Sequence, residues 1–301
     1  MENFTPQSTE DGSFTFFSQE FNELFHSHYG ARQESFLKFC VPSQLAFKSS
    51  KGVLRILDIC YGLGYNTAAA LQTIWTNNPN CFVEVIALEL NPVVPQAAIS
   101  HNLFSDWDYE YIQILTNLAN SYSLNTERLN AKLIIGDARK TIQAVYASGF
   151  KADAIFLDPF SPPQCPHLWS VEFIKQLTLC LHLDGILTTY SCAAGVRTAL
   201  LNAGLAIAST SPVGRKTPGT VAMHSNAEDG EITSLRGQPS IILPLSQAEK
   251  EHLQTRAAVP YRDPELKDSA DVIIQRRQQE QKISSLEPTS QWRKRWQFVS
   301  A

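Results

Sequence analysis

Short apolar runs alternate with amphipathic stretches through the middle of the chain. The runs are rich in valine, isoleucine and leucine, which favours buried strands, and the stretches between them have the spacing of helices that cover a sheet. Strands that alternate with helices pair in parallel. The pattern therefore predicts an α/β fold, of the Rossmann-like kind, around a parallel sheet. The predicted strands are Val53–Asp58, Phe82–Glu89, Leu133–Asp137, Ala154–Asp158 and Gly185–Tyr190.

The segments on either side of this region have different patterns. Phe14–Phe17 follows a turn signal and is predicted to be a strand. Mixed apolar positions across Gln19–Phe47 predict one or two helices. After the fifth strand, a helix is predicted to end near Leu201, and Leu205–Met223 is predicted to be a closing hairpin.

The chain changes character near residue 225. Apolar periodicity fades beyond this point, prolines punctuate the sequence, and Glu265–Leu286 has the pattern of a polar helix. We expect a loosely packed tail whose tryptophans dock on the domain. The predicted divisions are an N-terminal hairpin and helix extension (1–50), a cofactor-binding domain (51–224) and a polar C-terminal extension, partly helical or flexible (225–301).

Acids and glycines follow the first two predicted strands, at the sheet edge where open α/β proteins bind ligands. Asp58 is followed by Gly62, Gly64 and Asn66, a turn that brings backbone N–H groups close to a ligand where a helix begins. Glu89 ends the next strand, and a carboxylate there can accept hydrogen bonds from both hydroxyls of a ribose. To this point NAD and S-adenosylmethionine fit equally well.

Asp137 and Ala138, which follow the third strand, separate the two cofactors. Methyltransferases that use S-adenosylmethionine commonly have an acid here, beside the adenine amine, whereas NAD folds have no standing need for one. Gly62 and Gly64 also match the last two glycines of a methyltransferase loop, while a nicotinamide fingerprint would have a third glycine at Thr67. The sequence therefore predicts S-adenosylmethionine as the cofactor.

Asp158, Pro159 and Phe160 follow the fourth strand and resemble the motif with which amine methyltransferases hold an exocyclic amine. The attacking nitrogen must be neutral, with its lone pair aimed at the methyl group, so a carboxylate is suited to accept its N–H groups. An aromatic ring can stack on a base or lie against a sulfonium. We expect Asp158 and Phe160 to be catalytic and Pro159 to contact the substrate.

Composition and charge exclude several classes of protein. The 301 residues carry a formal net charge of −4, which excludes a strongly basic nucleic-acid coat but not a local basic patch. No apolar run approaches the length of a membrane span, and the polar, acidic N-terminus is unlike a signal peptide. The cysteines form no paired motif, so we expect reduced thiols in a cytoplasmic protein. Cys165 and His167 lack further ligands for zinc, and no metal site is predicted.

Several motifs together resemble one family, the methyltransferase half of MnmC, which forms 5-methylaminomethyl-2-thiouridine in tRNA. The likeness extends over about residues 9–223. The motifs that carry it are Asp11–Phe21, His26–Ser35, Leu157–Pro162 with Trp169, Thr189–Arg197 and Gly214–Lys216. The resemblance implies N-methylation of an aminomethyl group on the wobble uridine, in the anticodon region of tRNA. It also implies a stand-alone form without the FAD-dependent oxidase half, whose aminomethyl precursor would come from elsewhere in the cell.

The resemblance also implies roles for residues outside the strand ends. Gly30, Glu34 and Ser35 match the N-terminal motif, which lies over the cofactor in that family. Cys60 stands where the first loop glycine is usual, which predicts a lower affinity for the cofactor, and Pro159 stands where many members have glycine.

Basic side chains provide candidate contacts to tRNA phosphates. They are Arg197, Arg215, Lys216 and the cluster Arg293–Arg295.

Two other functions remain open on the sequence alone. A small-molecule amine methyltransferase, or an aminopropyltransferase like spermidine synthase, would share this fold and an acid after the fourth strand, and the net charge of −4 favours a small substrate. A catalytically silent scaffold would have no reason to keep acids at four strand ends.

Overall fold

The computed structural model describes residues 4–214, 217–224, 232 and 241–296. The strands are β1 (Gln7–Ser8), β2 (Phe14–Thr15), β3 (Phe17–Ser18), β4 (Glu23–Leu24), β5 (Val53–Ile59), β6 (Phe82–Glu89), β7 (Ser123–Asn125), β8 (Leu129–Ile135), β9 (Ala152–Leu157), β10 (Leu181–Thr189), β11 (Leu205–Thr210), β12 (Thr220–His224) and β13 (Ile242–Leu243). The α-helices are α1 (Ala31–Glu34), α2 (Leu45–Lys48), α3 (Tyr65–Asn77), α4 (Val93–Ser100), α5 (Tyr109–Ser121), α6 (Ala138–Ala147), α7 (Val171–Cys180), α8 (Ala194–Asn202), α9 (Gln247–His252), α10 (Ala270–Ile283) and α11 (Thr289–Arg295). Helix α1 continues as a π-helical turn, and short 3₁₀ turns are Ser49–Lys51, Pro166–Trp169 and Arg256–Ala258.

One sheet organises the molecule. Its strand order is β13-β11-β12-β10-β9-β5-β6-β8-β7. The five strands from β10 to β8 are parallel to one another. At the edges each pairing is antiparallel: β7 with β8, β12 with β10, β11 with β12 and β13 with β11. Strand β5 lies between β6 and β9, so the connections after β5 and after β9 begin at the point where the strand order reverses. The prediction of a Rossmann-like α/β fold is confirmed.

Both faces of the sheet are covered, as the uninterrupted apolar runs predict. Every residue of β9 is buried. Ala154 and Phe156 point to the core that includes α3, whereas Ile155 and Leu157 point to the core that includes α6 and α7. A parallel strand buried on both sides reads as a continuous apolar run, which is why this part of the fold can be predicted from sequence.

Some element boundaries differ from the predictions. Phe82–Glu89 is a strand over the predicted range, but β8 begins at Leu129, before the predicted start at Leu133. The extra residues pair with β6, from Val83 opposite Leu129 onward, and expose the polar side chains of Asn130 and Lys132 on alternate positions. The first half of β8 alternates buried and exposed residues, whereas its second half is an apolar run. A prediction based on the apolar run alone therefore misses the first half of the strand.

The N-terminal extension differs more. Helices were expected across Gln19–Phe47, but Glu23–Leu24 is a strand paired with β3, and helix begins only at Ala31. The aromatic residues here pack on a loop distant in sequence: Phe21 stacks on Phe160 at 4.4 Å between ring centroids. Their spacing therefore reflects tertiary contacts instead of a helix face.

The C-terminal extension packs more closely than a loose tail. Strand β13 joins the main sheet beside β11, and a polar helix is present as Ala270–Ile283. The ring of Trp292 stacks on His252 at 4.0 Å, and its Nε1 donates to the carbonyl oxygen of Ala248. None of the helices in the described part of the chain is both long and apolar enough to cross a membrane.

Arg197 is not available to a phosphate, which corrects the expectation that it contacts tRNA. Its side chain is 2% exposed, and its Nη1 lies 2.8 Å from Oε1 of Glu249 on α9. Its Nε donates to Oγ1 of Thr220 and its Nη2 to Oγ of Ser209. A buried guanidinium needs this compensation, so Arg197 links the C-terminal extension to the last strands of the sheet.

This buried pair yields a prediction for stability. Glu249→Gln keeps the shape of the side chain but leaves the charge of Arg197 without a partner. Removal of one partner from a buried pair costs about 3–5 kcal/mol, so we expect the free energy of unfolding in urea to fall by about 3 kcal/mol. Glu251→Gln is the matched control on the same helix, because Glu251 pairs with the exposed Arg295. Equal and small losses in both variants would contradict the structural role of Arg197.

Candidate functional site

A cavity of about 580 Å³ opens at the carboxyl edge of the sheet, where the ends of β5, β6 and β9 meet the N-terminal extension. This volume lies within the range of small-molecule sites. The lining includes Glu10, Glu20, Phe21, Glu23, Phe25, His26, His28, Tyr29, Glu34, Lys38, Cys60, Tyr61, Gly62, Glu89, Leu90, Asn91, Asp158, Pro159, Phe160, Ser161, Cys165, His167, Leu168 and Tyr190.

The turn between β5 and α3 forms one wall of the cavity. Gly64 has φ +102°, and a Cβ on it would lie 2.7 Å from the hydroxyl of Tyr61, so only glycine fits there. Cys60 has φ +66°, in the left-handed region that glycine favours. The backbone therefore explains why a glycine is usual at the position of Cys60, while Gly62 turns its N–H toward the end of β6.

Glu89 ends β6 against the cavity. Its Oε2 accepts a hydrogen bond from the N–H of Gly62, and its Oε1 accepts one from the N–H of Asn91, each at 2.9 Å. Burial raises the pKa of Glu89, and these N–H donors oppose that shift. A carboxylate fixed by backbone donors in this way is oriented to accept further hydrogen bonds from a ligand.

The loop after β9 carries Asp158, whose Oδ2 accepts a hydrogen bond from Nδ2 of Asn66 at 2.8 Å. Burial raises the pKa of Asp158 well above its ordinary value, and the bond from Asn66 lowers it. Glu34 and Asp58 raise it further, and Lys38 lowers it. Burial therefore has the largest effect on the ionisation of this carboxyl, and Asn66 and the nearby charges modify it.

Three side chains from separate segments hold the backbone of this loop. The hydroxyl of Tyr190 donates to the carbonyl oxygen of Pro159 at 2.9 Å, and Nε1 of Trp169 donates to that of Phe160 at 2.8 Å. The N–H of Ser161 donates to Glu23 on β4 at 2.8 Å. The loop is thus fixed at consecutive residues, as a site that must orient a reacting group requires.

The ring of Phe160 belongs to a cluster of three aromatic side chains. Phe21 stacks on it with an interplanar angle of 15°, and Phe25 meets it edge-on at 5.1 Å. All three rings line the cavity. One face of Phe160 is therefore occupied by the N-terminal extension, which forms an aromatic wall together with it.

The N-terminal motif places Glu34 in the cavity wall. Its carboxylate accepts hydrogen bonds from the N–H and hydroxyl of Ser27 and from Nζ of Lys38, the last at 2.6 Å. Burial alone would raise the pKa of Glu34, but Lys38 and His26 lower it below its ordinary value. Glu34 and Lys38 therefore form an ion pair beside the Asp158 loop.

Asp58 and Asn66 lie behind the cavity surface. Asp58 is fully buried, its Oδ2 accepts a hydrogen bond from Thr67 at 2.7 Å, and burial raises its pKa to about 7. Asn66 reaches the site only through Asp158. Both residues were predicted as direct cofactor contacts; neither lines the cavity, and in this structure they support its wall from behind.

Gly30 and Ser35 have packing roles in this structure and do not line the cavity, and their contact with the cofactor stays a prediction. A Cβ at Gly30 would lie 2.3 Å from Cγ of Asp11, so this glycine allows two segments of the N-terminal extension to approach. Ser35 is fully buried and donates its hydroxyl to the carbonyl oxygen of Ala31.

Asp137 caps the N-terminus of α6, and its Oδ1 accepts a hydrogen bond from the N–H of Arg139 at 2.9 Å. The guanidinium of Arg139 also pairs with this carboxylate. Asp137 and Ala138 adjoin the cavity without being part of its lining. Arg215 and Lys216, the other expected phosphate contacts, lie outside the described residues.

Sequence reasoning missed several lining residues. Leu90 and Tyr190 come directly after β6 and β10, and Tyr61 comes two residues after β5, so their position in sequence was a usable signal. Leu90 is 55% exposed, which is unusual for leucine next to a buried strand and is explained by its place at the cavity. His167 and Leu168 come from a turn whose approach to the cavity no local pattern indicates.

A cluster at the opposite end of β9 has ligand types that metals use. Carboxylate oxygens of Asp153 and Asp184 and a ring nitrogen of His182 lie within 4.8 Å of one another. Nζ of Lys51 bridges the two carboxylates at 3.0 and 2.7 Å. The cluster is therefore an ion-pair network in which the ammonium group of Lys51 is the cation that balances the carboxylates.

Comparisons with known proteins agree with this geometry. A family described as S-adenosyl-L-methionine-dependent methyltransferases matches residues 101–225. The crystal structure of MnmC2 from Aquifex aeolicus matches with a TM-score of 0.79 and 32% sequence identity, over 94% of this chain and 87% of that one. An uncharacterised protein of Methanocaldococcus jannaschii is 31% identical over 279 residues, which are 90% of this chain and 70% of that protein.

The bifunctional tRNA 5-methylaminomethyl-2-thiouridine biosynthesis protein MnmC of Acidovorax sp. is 25% identical over 232 residues, which are 73% of this chain and 34% of that protein. The chain thus spans about a third of the length of such bifunctional relatives. The fold, the strand-end acids and these similarities agree: the chain belongs to the family of MnmC2 and the methyltransferase half of MnmC, and it is an S-adenosylmethionine-dependent methyltransferase.

Proposed function

We propose that the protein methylates the aminomethyl nitrogen on the wobble uridine of tRNA in the cytoplasm, converting 5-aminomethyl-2-thiouridine to 5-methylaminomethyl-2-thiouridine. The observation that carries the proposal is the presence of Asp158 and Glu89 in one cavity, each suited to a different reactant. The similarity to MnmC and MnmC2 supports the choice of amine.

The residues of the cavity fit the cofactor. Glu89 is oriented by backbone N–H groups, so its carboxylate can accept hydrogen bonds from the ribose hydroxyls. Leu90 and Leu168 supply apolar surface of the kind that a flat base requires. Asp137 is assigned to the adenine amine, and Gly62 and Glu34 contribute to the walls. When bound, S-adenosylmethionine supplies an electrophilic methyl group on a sulfonium.

Asp158 is assigned to the amine. A substrate ammonium must lose a proton before its nitrogen can attack, and the Asp158 carboxylate can then accept a remaining N–H so that the lone pair is directed at the methyl group. The same negative charge would stabilise the ammonium that forms as the new C–N bond replaces the bond between the methyl group and sulfur, which leaves S-adenosylhomocysteine as the other product. Pro159 stiffens the loop, and Phe160 with Phe21 offers an apolar wall to the uracil ring.

A shallow groove on the C-terminal extension provides basic contacts for a nucleic acid. Its lining comprises Arg256, Gln278, Gln281, Lys282, Pro288 and Thr289. In the described part of the chain neither Arg256 nor Lys282 is in an ion pair, and Nε of Arg256 is buried without a hydrogen-bond partner. Arg295, by contrast, pairs with Glu251 and Glu287 and is less suited to phosphate than the sequence indicated.

The ribose assignment predicts the effect of Glu89→Gln. The amide keeps the size of the side chain but loses the charge, and hydrogen bonds to a charged group contribute about 1.5–3 kcal/mol. We expect the Kd for S-adenosylmethionine, measured by calorimetry, to rise at least about tenfold. Glu84→Gln is the control, because Glu84 lies on the same strand and pairs with the exposed Arg55. Unchanged affinity in Glu89→Gln would contradict the assignment.

The catalytic assignment predicts that Asp158→Asn slows methyl transfer and hardly affects the cofactor. The amide presents an NH2 donor where an acceptor is needed, so we expect single-turnover transfer to tRNA bearing the aminomethyl group to fall about a hundredfold. The Kd for S-adenosylmethionine should change less than about tenfold. Asp153→Asn, the same change at the other end of β9, is the control. A normal rate of transfer combined with weak binding of S-adenosylmethionine would show that Asp158 contacts the cofactor and not the amine, and would contradict the assignment.

That assay also separates tRNA from a small substrate. Digestion of the tRNA to nucleosides should yield 5-methylaminomethyl-2-thiouridine after incubation with S-adenosylmethionine. Methylation of free amines with none on the tRNA would contradict the proposal and favour the small-molecule alternative.

The groove predicts a salt dependence. Replacement of Arg256 and Lys282 by glutamine removes two cations. For each phosphate that is no longer neutralised, the plot of log affinity for tRNA against log salt should flatten by about 0.7–0.9. Lys267→Gln is the control, since Lys267 is already paired with Glu265. A double variant with the wild-type slope would exclude the groove from the tRNA interface.

A further inference from the structure

A turn of the C-terminal extension reaches the domain through Asp263. This side chain is fully buried. Its Oδ1 accepts hydrogen bonds from the N–H groups of Lys267 and Asp268, each at 3.1 Å, so one oxygen organises the turn. Its Oδ2 accepts a hydrogen bond from Nη1 of Arg139 at 2.9 Å. The other oxygen is therefore directed at the methyltransferase domain.

Arg139 connects this turn to Asp137. Its Nη2 donates to Oδ2 of Asp137 at 2.8 Å, and its Nε lies 3.1 and 3.2 Å from the two carboxylate oxygens. Its Nη1 donates also to the carbonyl oxygen of Asp268 at 2.9 Å. The planar guanidinium is thus fixed on one side by the extension and on the other by the carboxylate that begins α6.

Asp137 is next to the cofactor end of the cavity. The N–H of Gly136 donates to the carbonyl oxygen of Glu89 at 2.8 Å, so the two strand ends are directly joined. His167, which lines the cavity, is close enough to Asp137 and Arg139 for both to affect its pKa, which burial and Arg139 lower. The bridge from Asp263 through Arg139 to Asp137 is therefore adjacent to the cavity wall.

We propose that Arg139 is a positioning residue through which Asp263 of the C-terminal extension orients Asp137 toward the adenine of S-adenosylmethionine. The proposal rests on the assignment of Asp137 to the adenine amine. Two carboxylates share one guanidinium, so Asp137 keeps part of its negative charge and acceptor capacity while its carboxylate plane is fixed. The extension then has a function in the cofactor site in addition to its packing on the sheet.

Linkage makes the coupling reciprocal. If the extension orders Asp137 for the cofactor, the cofactor must stabilise the extension by the same free energy. The amides of Lys267 and Asp268 report this directly, because both donate to Asp263. Their hydrogen exchange should slow when S-adenosylhomocysteine is added to the full chain.

The test compares two ways of loosening the same turn. Asp263→Asn can keep the acceptor for Lys267 and Asp268 but removes the charge that faces Arg139. Arg262→Gln breaks the neighbouring pair with Glu172, in which Nε and Oε1 lie 2.7 Å apart, without touching Arg139 or Asp137. We expect the Kd for S-adenosylhomocysteine, measured by calorimetry, to rise about tenfold in Asp263→Asn, a usual size for coupling between sites. We expect it to stay within about twofold in Arg262→Gln.

Arg139→Lys provides a second variant, since lysine keeps the charge but cannot form the planar fork. It should weaken binding as Asp263→Asn does. Any of three outcomes would overturn the proposal. They are wild-type affinity in both bridge variants, equal weakening in Arg262→Gln, and hydrogen exchange at Lys267 and Asp268 that is the same with and without S-adenosylhomocysteine. Should Asp263→Asn fail to fold, the exchange measurement on the unaltered chain decides. Because no tRNA is present, the outcome is independent of whether tRNA is the methyl acceptor.

Discussion

The site depends on how the chain holds carboxylates that are buried at the carboxyl edge of its parallel sheet. Hydrogen-bond donors must offset the solvation that these carboxylates lose, yet leave them able to bind a ligand. Glu89 is held by backbone N–H groups, Asp158 by the amide of Asn66, and Asp58 by the hydroxyl of Thr67. Neutral donors occupy part of the acceptor capacity of Glu89 and Asp158 and leave the rest for a ligand. Burial raises the pKa of both carboxyls, so a cationic sulfonium or ammonium bound beside them favours their ionised forms.

The two extensions, which lie at opposite ends of the sequence, both contribute to the site. The N-terminal extension contributes the aromatic wall of Phe21 and the carboxylate of Glu23, which holds the backbone at Ser161. The C-terminal extension docks through the buried Arg197–Glu249 pair and through Asp263. The sheet thus provides the strand-end acids, while the extensions fix the loops that carry or adjoin them.

The sequence predicted the sheet and the strand-end acids because both are local signals. A strand buried on two faces is an uninterrupted apolar run, and an acid at its end marks the ligand edge, as at Glu89 and Asp158. Arg197 was misassigned because charge in a sequence does not show whether a guanidinium is buried against a distant carboxylate. The helices predicted for Gln19–Phe47 begin only at Ala31 for a related reason, since Phe21 and Phe25 pack on a loop far along the chain.

Asp158 and Glu89 are proposed to hold the two reactants in one cavity, and the function of the site depends on this. The most direct measurement is the structure of a ternary complex with S-adenosylhomocysteine and a tRNA that carries the aminomethyl uridine. We expect the amine nitrogen within about 2.6–3.2 Å of the Asp158 carboxylate, a hydrogen-bond distance, with the ribose hydroxyls on Glu89. An amine bound away from Asp158, or a ribose bound away from Glu89, would contradict the proposal.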